Sequence, residues 1–178
     1  MGSAAVLLVA ASMTGCVVET AGWAAVAVDE NGDVVGLIQM CDHHVDGATL
    51  YRSDVWTQDE VDHPILGRWE SDTEVIDDAR WSFAAASNGW VSLIDFEEPE
   101  AGGEYVLYGW THDDSWSALS AHFTVDDLAS LRPGEVIYGD HQVATEIDFR
   151  AHVCDDSSRT SGTKPIPAAV HLRRGRDH

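Results

Sequence analysis

The chain is poor in positive charge. Of its 178 residues only 10 are Lys or Arg, and a single one of these is lysine (Lys164), against 31 Asp and Glu; the formal net charge is −21. This deficit excludes a duplex nucleic-acid binder, which needs basic side chains gathered against phosphates. It equally excludes a polybasic membrane-surface protein. Cysteine is scarce as well, with 3 residues and no CxxC, so neither a zinc knuckle nor a thioredoxin-type redox pair is indicated. No GxSxG, HExxH, Walker loop or GxGxxG occurs. The single long apolar run, Ala4–Ser12, is too short to span a bilayer as a helix.

Hydrophobic residues nevertheless make up 44% of the chain, and the length suits one domain with a core of its own. The dense carboxylates also suit a high-salt setting, where they keep a protein soluble.

Ala4–Ser12 is followed by Met13-Thr14-Gly15-Cys16. An apolar stretch ending in a small residue directly before cysteine resembles the bacterial lipoprotein signal, in which the cysteine is acylated and becomes the new amino terminus. The layout of signal, acidic β domain and one cysteine pair resembles that of small actinobacterial lipoproteins. The resemblance implies residues 1–15 as a signal peptide, Cys16 as the lipidation site and 16–178 as a single acidic domain. It implies a lipid anchor in the cell membrane, on its extracytoplasmic face. Two features depart from the usual signal: Met1-Gly2-Ser3 carries no basic residue, and position 13 is Met where Leu is commoner. With Cys16 used for lipid, Cys41 and Cys154 remain as one pair for a disulfide in an oxidising compartment.

Beyond the signal, short β-rich runs alternate with turn residues, which predicts an antiparallel β-sandwich or barrel-like domain. Gly22–Asp29 and Val34–Cys41 flank Asn31-Gly32, and Trp81–Ala86 and Trp90–Phe96 flank Asn88-Gly89. Each Asn-Gly step predicts a hairpin with a type I′ turn. Further strands are expected at Ala48–Ser53, Glu104–Trp110, Ser117–Phe123, Glu135–Gly139, Val143–Cys154 and Ala168–Leu172. One short helix, Val125–Leu131, is expected behind a Thr124 cap, with Asp126 and Asp127 in its first turn and Pro133-Gly134 ending it.

Two residue types stand out as candidates for function. Nine histidines are present, and His43 and His152 lie beside the paired cysteines. Were Cys41 and Cys154 opposite one another on antiparallel strands, His43 would face His152. That is a half-site for zinc or copper, with Asp42 or Asp148 completing it; the simpler reading is a solvated rim. No other cofactor is expected. Seven tryptophans are the second excess. Trp81 and Trp90 read as core, whereas Trp56, Trp69 and Trp116 lie in polar segments and are candidates for an exposed binding surface.

The sequence therefore points to a lipid-anchored, non-enzymatic binding or interaction domain for an envelope ligand or protein. A metal-binding envelope protein and a secreted hydrolase are the alternatives. The first element is directly testable: mass spectrometry of the membrane fraction is expected to find Cys16 acylated and residues 1–15 removed. An unmodified Cys16 contradicts it.

Overall fold

The computed structural model describes residues 18–55, 63–85 and 88–160. Cys16, Trp56 and the strand expected at 168–172 lie outside them. Two neighbouring strands, β1 (Glu19–Val28) and β2 (Val34–Met40), are apolar on both faces, and the rest of the architecture follows from burying both. They pair antiparallel from Gly22↔Met40 to Val28↔Val34. Because side chains alternate across a strand, Ala24, Val26, Ile38 and Met40 enter one core, while Ala25, Ala27, Val35 and Leu37 enter a second on the opposite face.

The first core is enclosed by a strongly curved sheet. Its remaining strands are β3 (Val45–Arg52), β4 (Ile65–Val75), β5 (Asp78–Ser82), β6 (Trp90–Ile94), β7 (Glu104–Trp110) and β8 (Trp116–Thr124). Around the nearly closed barrel the order is β5-β2-β1-β8-β7-β3-β4-β6. All these pairs are antiparallel except β1 with β8, which is parallel. Large aromatics fill the interior: Trp69 stacks on Phe83 with ring centroids 4.6 Å apart, and Trp81 on Trp90 at 4.1 Å. After β8, Thr124 caps α1 (Val125–Ser130) in a reciprocal capping box with Asp127, as the sequence predicts.

The second core lies outside the barrel. β9 (Glu135–Tyr138) pairs with the distal half of β1, β10 (Gln142–Thr145) pairs with β9, and α2 (Glu146–Thr160) then lies over β1 and β2. Phe149 and Val153, one helical turn apart, pack on Ala25, Ala27, Val35, Leu37 and Val136. Two further kinds of bond hold the helix down. Glu146 pairs with Arg80, and Arg150 with both Asp78 and Glu146, which ties the helix to β5. Cys154 is disulfide-bonded to Cys41 at the end of β2.

The mainly β, barrel-like expectation holds, with four corrections. The strand expected over Val143–Cys154 breaks after Thr145 and continues as α2. The Thr145 hydroxyl accepts from the Asp148 amide at 3.1 Å and donates to its carboxylate, and this N-terminal cap starts a helix. Ile147, counted on the apolar face of the supposed strand, is instead 81% exposed. The first Asn-Gly turn is also not type I′. Only Gly32 takes positive φ (91°), and its amide donates to the Asp29 carbonyl at 3.1 Å, which is a three-residue loop. At the second, Asn88 and Gly89 do both take positive φ (62° and 83°), but the flanking strands do not pair with each other. β5 joins β2 and β6 joins β4, so the turn carries the chain across the seam of the barrel. The fourth correction is β4, an 11-residue strand that the sequence reading left unassigned.

The latch of α2 makes a quantitative prediction. The bond between Cys41 and Cys154 closes a separation of 113 residues, so Cys41→Ser with Cys154→Ser should cost about 2–4 kcal/mol in urea unfolding. A loss below about 1 kcal/mol contradicts a tether acting on a loop of that length.

Candidate functional site

The outer faces of the barrel differ. Over β1 and β2 the face is covered by α2. Over β3, β4, β7 and β8 it carries a grid of aromatic and polar side chains whose places are set by strand register. Thr49 lies opposite Arg68 on β4 and Tyr108 on β7. One step along, Gly47 lies opposite Glu70 and Trp110; one step the other way, Tyr51 lies opposite Ile65 and Val106. Every second residue of each strand shares this face, because Ala48, Leu50, Tyr105 and Leu107 between them point into the core.

Trp110 is the keystone of this grid. Its indole lies across Gly47, where an added Cβ would meet ring atoms at 2.3 Å. Its Nε1–H donates to the Thr49 hydroxyl at 2.9 Å, and the Arg68 guanidinium covers it 4.5 Å from the ring centroid. The stack leaves Trp110 only 8% exposed. His112 meets its edge with centroids 5.4 Å apart and pairs with Glu70 at 3.0 Å. The His112 amide donates to Asp46, whose other carboxylate oxygen faces His44 at 3.6 Å.

Beside this stack lies an open depression of about 400 Å³, lined by Thr49, Tyr51, His63, Ile65, Tyr108 and Ser120. Tyr51 stands between His63 and Tyr108, with ring centroids 5.0 and 5.9 Å away. Burial, and then the neighbouring Tyr108 phenol, raise the Tyr51 hydroxyl above its ordinary 10.0. At physiological pH it is a neutral hydroxyl, able to donate and accept. The lining therefore offers rings, hydroxyls and one imidazole.

The residues singled out from sequence fall elsewhere. Trp69 is 0% exposed and is a core residue, since it lies opposite the inward-facing Ala48 and alternates with the outward Arg68 and Glu70. Trp116 is half-buried, with one face covered by the His43 ring, stacked at 3.5 Å. His152 sits on α2 beside Asp155. The cross-strand register that would set it opposite His43 does not exist, because Cys154 lies on a helix. Among the described residues no three His, Cys, Asp or Glu side chains gather as a metal site. Tyr51, Arg68, Tyr108 and Trp110 escaped the sequence reading. The available signal was β7 itself, Tyr-Val-Leu-Tyr-Gly-Trp, which carries aromatics on both faces although no helix covers its outer one.

Compared with known protein families, curated proteins and solved structures, the chain matches none. The fold and this face together define an acidic, barrel-like β domain with a ring-lined outer depression.

The seat of Trp110 is open to test. Gly47→Ala places a methyl against the indole and, at 2.6 Å, against the Trp69 carbonyl; overpacking of this kind costs about 1–3 kcal/mol. We expect that loss in urea unfolding, with a changed indole N–H resonance for Trp110. A fully stable variant with that resonance unmoved contradicts the seat.

Proposed function

We propose that this protein is a non-enzymatic, extracytoplasmic binding domain, anchored to the membrane through lipidated Cys16, that holds saccharide units of envelope material on the outer face of β3, β4, β7 and β8. The observation that carries the reading is the open depression bounded by Tyr51, Tyr108 and His63 and floored by Thr49. Sugar rings present apolar C–H faces and a rim of hydroxyls. Aromatic side chains pack against such faces, and neutral hydroxyls such as those of Tyr51 and Ser120 exchange hydrogen bonds with the rim. A few placed polar groups in an otherwise ring-lined hollow are the general character of small-ligand sites.

The anchor and the face fit one another in the same reading. A lipid at Cys16 keeps the domain at the membrane surface, with its ligand supplied by the polymers around it.

The test uses an oligosaccharide panel, neutral and acidic, titrated by calorimetry. At least one member should bind, and Tyr108→Ala and Tyr51→Ala should each weaken it by about tenfold or more. Absence of any saccharide binding, or binding that survives both substitutions, overturns the reading.

A further inference from the structure

Arg68 differs from Arg52, Arg80 and Arg150. Arg52 holds Asp54 and Glu100, Arg80 holds Glu146, and Arg150 holds Asp78 and Glu146. In a chain of net charge −21, Arg68 alone of these four has no carboxylate partner among the described residues. The acid two residues along the same strand, Glu70, is taken by His112. The guanidinium instead lies on the face of Trp110, and its Nε is buried without a hydrogen-bond partner.

We infer that Arg68 is an anion-selecting residue of this face, and that the saccharide it takes carries an isolated carboxylate, as a uronic acid does. The inference rests on the saccharide reading above and narrows it. The geometry favours it in two ways. Stacking uses the flat face of the guanidinium and leaves its terminal in-plane N–H groups, which pair with a carboxylate in a fork. Arg68 also stands directly across Thr49 from Tyr108, so a sugar lying in the depression can bring a ring substituent to it.

Charge sets the class more narrowly still. On this face Arg68, with no carboxylate partner among the described residues, complements a single anionic group. A polyanion such as a chain of phosphodiesters would meet repulsion from the surrounding carboxylates.

The experiment titrates the intact domain with an aldotriouronic acid, which carries a single glucuronate, and with its uncharged methyl ester, for the wild type and for Arg68→Gln, Arg68→Lys and Tyr108→Ala. We expect the wild type to prefer the acid by about tenfold or more, with the preference weakening as salt is raised. Arg68→Gln should bring binding of the acid down to the level of the ester. Arg68→Lys should keep only part of the preference, since an ammonium has no planar fork. Equal binding of acid and ester by the wild type, lost in Tyr108→Ala, overturns the role of Arg68 and leaves the saccharide reading standing. Binding of neither overturns both. A preference that persists in Arg68→Gln overturns the role of Arg68 alone.

Discussion

The double burial of the β1–β2 ribbon is the constraint from which the rest of the structure follows. A strand pair apolar on both faces needs a core on each side. The barrel interior supplies one, with Ile38 and Met40 packed among the buried tryptophans. The other requires a separate cover, and α2 provides it through Phe149 and Val153. Helix packing alone over so small an area is a modest restraint. The chain adds a covalent bond at Cys41–Cys154 and ion pairs from Glu146 and Arg150 to β5. These hold α2 where it is needed and fix the far edge of the sheet against the same helix.

This distribution leaves the two sides of the barrel chemically unlike. The side under α2 is spent on stability. Among the described residues the opposite side has no helix over it, yet it carries Tyr51, Tyr108 and Trp110 together with Arg68, a cation that has no acidic partner among those residues. Aromatic groups on an uncovered sheet face are expensive for solubility unless they serve recognition. Trp110 itself is shielded by Arg68, Thr49 and Gly47; in the proposed reading it is a rigid support, and the rings that would meet a ligand are those of Tyr51 and Tyr108.

Much of the fold could be read from local chemistry. β7 runs from Glu104 to Trp110 as its composition suggests, and the Thr124 cap defines α1. The cysteine pair was legible because setting Cys16 aside as the expected lipidation site left only Cys41 and Cys154. The failures share a cause: two periodicities can coexist in one segment. From Val143 to Cys154 apolar residues alternate as in a strand, yet Phe149 and Val153 also sit four apart as in a helix. The tie is broken by the Thr145-Asp148 cap, which has the same spacing as Thr124-Asp127. β4 was hidden because Arg68, Glu70, Asp72 and Glu74 give it a polar outer row, so that Trp69 read as an exposed residue. The candidate face could not be located from sequence for a further reason. It is assembled by register among four strands, and the register is not written in any one of them.

The central claim is that recognition belongs to the face carrying Tyr51, Arg68, Tyr108 and Trp110. The most direct measurement follows the tryptophan indole N–H resonances while an aldotriouronic acid, carrying a single glucuronate, is added. The Trp110 N–H, bonded to Thr49 beneath the depression, should shift in proportion to occupancy. Those of Trp69, Trp81 and Trp90 in the barrel interior should stay in place. Shifts at Trp23, beside the α2-covered core, or at the interior tryptophans, with Trp110 unmoved, would contradict the account.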